Sequence, residues 1–488
     1  MTLDAYSTAG PGQEKSPRLS FRPSFPSDGP MSGPEEAGAP WRFSGREPLL
    51  AYANAMGKGG NHMTHTKMGI SRRTALKGLA AGTALLSAPA YLRAQSSQTI
   101  KIGFISPQTG QMAPFGETDA FALDFIRGHL GGGLNVGGKT YNIEIIERDA
   151  QSNPNRAAEL AGELCQNDNV HILIPASTTD VTLPVSEQGE LFEVPTLSST
   201  APWQAVIMPR GGAEQAFNWT YHFFWGLEDI IPTFVNMWNG LESNKKVGLL
   251  LPRNADGEVW GDDKIGLPPA MRAAGFEVIA PSKFEIRSND FSSQINAFKE
   301  AGCDILGGLV FPADLRTATI QMAQQGYHPK IMTVAAGLLF PSAVEAMGEL
   351  GAGMSTEVWW TPAFPYKSTL TGDTSAQLAA KWESATGKQW TQPLGYSHAM
   401  WEIIVDTLKR SADPMDRGAI RDALKSTDLD TIVGKISWSN GPHANVAKTP
   451  ILGGQWRKGT KWPYDLQIVE TKLYPIMEPE SALEAKSW

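Results

Sequence analysis

Residues 99–106 have the sequence Thr-Ile-Lys-Ile-Gly-Phe-Ile-Ser, an apolar run with the length of a buried β-strand. A loop rich in Pro and Gly follows at 107–116, and apolar residues then recur with helical spacing from Thr118 to His129. A buried strand followed by a loop and a helix is the repeating unit of a parallel sheet. The periodic part of the chain therefore begins with one such unit.

The same alternation continues in two blocks. The first block has predicted strands at 141–147, 170–175 and 194–197 and helices at 154–166 and 179–191. After the aromatic connector Tyr221–Trp225, the second block has strands at 246–251, 277–280, 305–311 and 330–335 and helices at 227–242, 262–274, 291–302 and 313–325. Helices at 373–387, 396–410 and 417–425 precede a strand-like tail from Gly434. Two such blocks predict an α/β fold of two Rossmann-like lobes with parallel sheets.

Composition excludes several classes of protein. The 488 residues include 42 Lys+Arg and 50 Asp+Glu, a net charge of −8, which disfavours a binder of nucleic acid or anionic membranes. A hydrophobic fraction of 41% is typical of a globular protein with more than one core. The two cysteines, Cys165 and Cys303, are expected in different lobes and unpaired. No metal-ligand cluster and no cofactor motif is predicted.

The N-terminal region has the composition of an export signal. Residues 1–67 lack apolar periodicity and are predicted to be disordered or an over-extended start. The segment Ser71–Lys77, with two adjacent arginines, precedes the apolar run Leu79–Leu86 and the small residues Ser87–Ala90. This pattern resembles a twin-arginine signal, predicted over 68–94, and the apolar run is too short to span ~30 Å of hydrocarbon.

Two hydroxyl-rich segments follow neighbouring predicted strands. Ser177 and Thr178 come after the strand that ends at Pro175, and Ser198 and Thr200 come after the next strand. Hydroxyls and free N–H groups at a helix N-terminus bind small anions, especially carboxylates, although ordinary helix capping also places Ser and Thr there. The carboxyl ends of parallel strands are where such folds bind ligands.

Aromatic residues occur in the other strand-end loops. Phe115, Trp260 and Phe311 each lie beside Gly or Pro, where they either wall an apolar ligand or fill space under a loop. The late tryptophans Trp359 and Trp360, with Trp390, are predicted to pack within the lobes, and an aromatic rim around a cleft is the alternative.

The order of these motifs over 98–456 resembles type I periplasmic solute-binding proteins of the branched-chain amino acid (leucine/isoleucine/valine-binding) class. The matching segments are Ile100–Pro107, Thr109-Gly110, Phe115-Gly116, Gly132-Gly133, Asp149–Pro154, the segment around Ser177, and Val194-Pro195 leading to Ser198–Pro202. The resemblance implies a monomeric periplasmic protein that closes its lobes on a solute and docks on the membrane permease of an ABC importer.

The resemblance also implies three crossings between lobes, near Phe224, 340–357 and 435–445. Lobe 1 would then comprise 95–223 and 357–435, and lobe 2 would comprise 224–356 and 436–488. The binding pattern of the class transfers to Ser177, Ser198 and Thr200 as carboxylate and ammonium contacts, and to Phe115, Trp260 and Phe311 as rings around the solute.

One position departs from the class. Amino-acid binders have an acid in the strand-end loop that here is Thr333-Val-Ala-Ala-Gly337, with no carboxylate. Because an unpaired buried ammonium is costly, the sequence favours an aromatic or aliphatic acid over an amino acid, unless Asp256, Glu258 or Asp314 supplies the charge.

Two other functions remain open. The same fold also serves as a ligand sensor for a regulator or chemoreceptor, since fold does not fix function. An exported dinucleotide-dependent oxidoreductase would need a G-x-G-x-x-G turn after a strand, and the first strand is followed only by Gly110 and Gly116. A binding protein without enzymatic activity is therefore the expectation.

Overall fold

The computed structural model describes residues 98–210 and 216–488. The predicted signal at 68–94 and the segment 1–67 lie outside the described residues.

The first part of the described chain alternates strands and helices. Its strands are β1 (Thr99–Ser106), β2 (Leu134–Val136), β3 (Lys139–Asp149), β4 (Ile172–Pro175), β5 (Thr196–Ser199) and β6 (Thr220–Phe223). Its helices are α1 (Asp119–His129), α2 (Pro154–Gln166), α3 (Thr179–Leu191) and α4 (Trp203–Ile207), with a 3-10 turn at Ala113–Gly116. Helix α2 begins as predicted, because Asn153 accepts the N–H of Arg156 (3.1 Å) and Pro154 occupies the first turn.

The second part repeats the alternation. Its strands are β7 (Lys246–Leu250), β8 (Glu277–Ile279), β9 (Ile305–Val310), β10 (Ile331–Ala336) and β11 (Ser355–Val358). Its helices are α5 (Leu227–Asn239), α6 (Ala255–Trp260), α7 (Leu267–Ala273), α8 (Ser292–Ala301), α9 (Pro312–Gln324) and α10 (Pro341–Glu345).

The last part adds three helices and five strands. The helices are α11 (Ser375–Thr386), α12 (Pro393–Arg410) and α13 (Arg417–Lys425). The strands are β12 (Asp428–Thr431), β13 (Gly434–Ser437), β14 (Val446–Ala447), β15 (Leu452–Lys458) and β16 (Tyr464–Glu470).

The strands form two seven-stranded sheets, one in each lobe. The first has the order β14-β6-β5-β4-β1-β3-β2 and the second the order β16-β15-β11-β10-β9-β7-β8. Within these two sheets all pairs are parallel except β2–β3 at one edge and the pairs of β15 at the other sheet's edge. The remaining strands, β12 and β13, form a separate two-stranded antiparallel sheet. Ile102 and Phe104 of β1 belong to the same apolar core as α1 and α12, whereas Ile105 packs with α2 and α3. Helices thus cover both faces of the first sheet, as predicted.

The chain crosses between the sheets three times. The first crossing follows β6, at the expected position near Phe224. The second comes after β11, which extends to Val358, and the third lies at 448–451, both later than the expected 340–357 and 435–445. The third was misplaced because β14 is only two residues long, yet it pairs with β6 through Val446 and His222 in the first sheet.

Two local expectations also differ from the structure. The connector Tyr221–Trp225 contains most of β6 and so belongs to the first sheet. The helix expected at 262–274 is the shorter α7 (Leu267–Ala273), and a separate helix that was not expected, α6, precedes it. Helix α6 begins after Asn254, whose side chain accepts the N–H of Gly257 (2.9 Å). Trp260 is consequently the last residue of α6 and not part of a strand-end loop.

Within 98–210 and 216–488, no helix combines the length and the apolarity needed to cross a membrane. In the same ranges, no group of three or more His, Cys, Asp or Glu side chains is arranged to hold a metal ion. Cys165 and Cys303 are free and buried in two different apolar clusters. The cluster of Cys165 lies between α2, α3 and the first sheet, and the cluster of Cys303 extends through both lobes.

Candidate functional site

A narrow cleft, with about 30 Å³ of space for the centre of a water molecule, lies where the carboxyl ends of strands from both sheets meet. It is lined by Phe115, Thr178, Thr179, Thr200, Ala201, Pro202, Phe224, Trp225, Asp256, Trp260, Leu309, Phe311, Ala335, Ala336, Glu357 and Trp359. An adjoining cavity, with about 20 Å³ of such space, extends into the first lobe and is lined by Ser177, Ser199, Asp119 and Trp401. Phe115 and Thr200 line both spaces, so the two are contiguous.

The hydroxyl segments form one wall of the site. Ser177 and Thr178 precede α3, and their side chains are 3% and 4% exposed. The hydroxyl oxygens of Ser177, Thr178 and Thr200 are buried and have no hydrogen-bond partner among the described residues. Buried polar groups in native proteins are normally paired, so these three hydroxyls are available to a ligand.

The backbone of this wall is strained. Ser177, Thr178 and Thr200 have φ values of 133°, 49° and 60°. Positive φ is unfavourable for residues other than Gly, and each such position costs roughly 1–3 kcal/mol. Strain of this kind persists where the surrounding fold holds a loop in one geometry, and here it holds three hydroxyls at the N-terminus of α3 and the end of β5.

Ser198 does not take part in the site. Its hydroxyl donates to Nδ1 of His222 (2.9 Å), whose Nε2–H donates to the carbonyl of Ala201 (2.8 Å). Burial lowers the pKa of His222 to about 4, so the ring is neutral and this arrangement is stable. Because side chains alternate along a strand, the neighbouring Ser199 lines the adjoining cavity and Ser198 faces the core.

The three predicted rings converge on the cleft. Phe115 contacts Phe311 edge-on with ring centroids 6.4 Å apart, and the Trp260 side chain is 1% exposed. Sequence reasoning missed two rings at the crossings, Trp225 after β6 and Phe224 beside it. Trp359 also lines the cleft, whereas Trp360 packs against Trp390 away from it. The late tryptophans therefore divide between the rim and the core.

Asp256, one of the acids considered from the sequence, lines the cleft. It is 7% exposed on α6 of the second lobe and accepts a hydrogen bond from the hydroxyl of Thr179, on α3 of the first lobe. Burial, together with the nearby carboxyl of Asp180, raises the pKa of Asp256 to about 7. This contact ties the two lobes together across the cleft.

Glu357 is a second acid that the sequence gave no reason to place here. It lies on β11 beside β10, and its Oε1 accepts the N–H of Ala336 (3.0 Å), a residue with φ of 67°. Its Oε2 accepts the hydroxyl of Thr356 (2.8 Å), and burial raises the pKa of Glu357 to about 7. The strand-end segment 333–337 has no acid of its own, but the neighbouring strand supplies one to the same edge.

The other two acids considered from the sequence lie elsewhere. Asp314 is buried at the start of α9 and does not line the cleft, and burial raises its pKa. Glu258 forms an ion pair with Lys283 (2.5 Å) and its side chain is 64% exposed. Among the described residues that line the cleft, none is Lys, Arg or His. The site therefore combines unpaired hydroxyls, aromatic rings and two weakly ionised carboxyl groups.

Comparison with known proteins gives a consistent result. A family model described as periplasmic binding protein matches residues 99–461. A Leu/Ile/Val-binding protein homolog from Brucella abortus is 23% identical over 402 residues, covering 78% of this chain and 95% of the relative.

Solved structures share the fold. The branched-chain amino acid transporter substrate-binding protein LivJ from Streptococcus pneumoniae, in complex with isoleucine, matches with a TM-score of 0.61 and 17% identity over 76% of this chain and 100% of its own. A solute-binding protein of an ABC transporter from R. palustris, in complex with 4-hydroxybenzoate, matches with a TM-score of 0.63 and 16% identity over 76% and 96%. Because the family model spans most of the chain and the two-lobed fold agrees with it, the chain belongs to the periplasmic binding protein family.

Proposed function

We propose that this protein is the substrate-binding component of an ABC importer and captures a small carboxylate-bearing solute between its lobes. The proposal places it in the periplasm, after export by the twin-arginine route predicted from 68–94. Its partners are the solute and a membrane permease, it acts as a monomer, and it performs no chemistry on the solute. Family membership and a cleft built from both lobes support this role.

The observation that supports the carboxylate is the hydroxyl wall. Ser177, Thr178 and Thr200 present three buried hydroxyls without protein partners, on strained backbone beside the N-terminus of a 13-residue helix. Hydroxyl donors and a helix N-terminus together stabilise a negative oxygen. Isoleucine and 4-hydroxybenzoate, the ligands of the two solved relatives, both contain a carboxylate.

The body of the solute is proposed to be aromatic or aliphatic, without a paired ammonium. The absence of an acid at 333–337 is not enough to support this, because Asp256 and Glu357 reach the cleft. Both carboxyl groups, however, already accept protein hydrogen bonds, and their pKa values near 7 leave them largely uncharged in mildly acidic solution. An uncharged carboxyl pairs weakly with an ammonium and does not repel a solute carboxylate.

A thermal-shift panel tests the proposal. Purified protein is freed of bound solute by unfolding and refolding, then mixed with aromatic acids, aliphatic acids, their amides and branched-chain amino acids at 1 mM. A solute with Kd near 1 μM should stabilise the protein by about 4 kcal/mol at that concentration. Stabilisation by acids and not by their amides supports the proposal, and stabilisation by amino acids alone contradicts the choice of solute.

Two serine variants connect the result to the hydroxyl wall. Ser177→Ala removes an unpaired hydroxyl of the site and should weaken acid binding by about tenfold, the usual scale for one hydrogen bond to a charged group. Ser198→Ala is the matched control, because the Ser198 hydroxyl is bound to His222 in the core. The affinity of this variant for the acid should stay within twofold of that of the unmodified protein. Equal losses in both variants would mean that the hydroxyl wall does not contact the solute.

A further inference from the structure

Two indole side chains from different parts of the fold meet in the cleft. Trp225 directly follows β6 at the first crossing, and Trp260 ends α6 in the second lobe. Each is 1% exposed, and their ring centroids are 6.4 Å apart with the rings nearly perpendicular. Both line the cleft together with Thr178 and Thr200, whereas Ser177 lines the adjoining cavity.

The indole nitrogens of this pair have no hydrogen-bond partner among the described residues, and both are buried. Three buried indoles elsewhere are paired: Trp238 donates to Thr333 Oγ1 (2.8 Å), Trp382 to the Gln389 carbonyl (2.9 Å) and Trp456 to the Leu338 carbonyl (2.8 Å). The indole nitrogens of Trp359, in the cleft, and of Trp360, outside it, also have no partner among the described residues. Trp359 neighbours the Glu357 carboxyl, so Trp225 and Trp260 are the cleft indoles that depend most on a solute for an acceptor.

The hydrogen-bonding chemistry of an indole limits the kinds of ligand atom that can bind to these two N–H groups. An indole N–H is only a donor, whereas Ser and Thr hydroxyls can turn and either donate or accept. Neither an ammonium group nor a hydrocarbon chain can accept a bond from it. A buried site built to hydrogen-bond a polar atom discriminates strongly against an analogue that lacks this atom, because the protein donors are then left unpaired.

We propose, building on the carboxylate-binding function above, that the solute has a second hydrogen-bond acceptor, bound by the Nε1–H groups of Trp225 and Trp260. The class is an oxygenated carboxylic acid in which a carbonyl, ether or second carboxyl oxygen lies beyond an apolar spacer. The carboxylate faces Ser177, Thr178 and Thr200, the spacer packs against the rings of Phe115 and Phe311, and the acceptor faces the indole pair.

The test compares acids matched in length. Isothermal titration measures the affinity of pentanoate against 4-oxopentanoate, of hexanoate against hexanedioate, and of 4-methylbenzoate against 4-formylbenzoate. In at least one pair the oxygenated member should bind about tenfold tighter or more. Equal affinities within every pair would overturn the acceptor subsite while leaving carboxylate capture intact.

Three tryptophan variants assign the effect to the indoles. Trp225→Phe and Trp260→Phe each remove one N–H and keep an aromatic ring. Each should reduce the ratio of the affinity for the oxygenated acid to the affinity for its parent acid by about three- to tenfold. Trp360→Phe is the matched control, because its Nε1 is also buried and unpaired but lies outside the cleft, against Trp390. An unchanged ratio in both cleft variants would overturn the proposal.

The amide series separates this proposal from the proposed function. If 4-oxopentanamide binds as tightly as 4-oxopentanoate and binding falls in the Trp225→Phe variant, the indole subsite stands and carboxylate capture fails. If no member of either series binds at 1 mM, both are overturned.

Discussion

Solute affinity should fall as pH rises, because closure of the lobes buries Asp256. In this structure, where Asp256 contacts Thr179 of the other lobe, burial and Asp180 raise the pKa of Asp256 to about 7, whereas a hydrated aspartate has a value of 3.8. Opening the cleft separates Asp256 from Thr179, its partner in the other lobe, and hydrates the carboxyl. A group whose pKa is higher in the closed state binds a proton on closure, so the closed state is favoured at low pH and loses that advantage up to pH 7.

The size of the effect follows from the shift. A difference of about 3 pH units, at about 1.4 kcal/mol each, makes closure over ionised Asp256 up to about 4 kcal/mol less favourable than closure over the protonated form. Affinity should therefore decrease by up to about tenfold per unit between pH 5 and 7 and become constant above pH 7.5.

Isothermal titration with one carboxylic acid at constant ionic strength, from pH 5 to 8, measures this slope. Asp256→Asn keeps an acceptor for Thr179 and cannot ionise, so the affinity of this variant should depend less steeply on pH than that of the unmodified protein. The remaining dependence comes from the cleft residue Glu357, whose pKa burial also raises to about 7. Glu402→Gln is the control, because burial raises the pKa of Glu402 to about 7 but its partners, the N–H groups of Thr369 and Ile432, lie in the first lobe. An affinity for the acid that rises with pH in the unmodified protein would refute the reasoning.

Two further predictions concern stability. In α12, a Cβ at Gly395 would lie 2.4 Å from the Trp360 ring, so Gly395→Ala should lower the free energy of unfolding, measured with urea, by about 1–3 kcal/mol. Gly128→Ala in α1 is the control, because a Cβ there meets nothing within 4 Å, and it should raise the free energy of unfolding by roughly 0.5–1 kcal/mol. At the third crossing, Lys448 forms an ion pair with the buried Asp229 of α5 (2.6 Å). Lys448→Met leaves this carboxylate without its cation and should lower the free energy of unfolding by about 1–3 kcal/mol. An unfolding midpoint equal to that of the unmodified protein would contradict this pairing.

The sequence was sufficient where a property is local. Strand β1 and helix α3 have the predicted bounds, because the apolar run at 99–106 and the segment at 179–191 are each limited by turn residues. The convergence of Ser177 and Thr200 was also predictable, since their strands are neighbours in a parallel sheet and end at the same edge.

Sequence reasoning failed where a property depends on register or strand order. Ser198 and Ser199 are adjacent hydroxyls, and only the register of β5 decides that Ser199 faces the adjoining cavity and Ser198 faces His222. Glu357 lies within a strand, and it reaches the site only because β11 pairs with β10 and the N–H of Ala336 holds its carboxylate. Neither fact leaves a periodic signal in the sequence.

Backbone strain connects the fold to the site. Among the described residues other than Gly, eleven have positive φ, and most of these are polar turn residues such as Asn169 and Asn445. The four around the site, Ser177, Thr178, Thr200 and Ala336, are instead small or β-branched residues, for which the conformation is less favourable. Each of these four conformations costs roughly 1–3 kcal/mol, which the packing of the lobes must offset. The result is that three hydroxyls stay unpaired and the N–H of Ala336 donates to Glu357. Local propensity and function conflict at these positions, which is why a site of this kind is found from its geometry and not from the preferences of its residues.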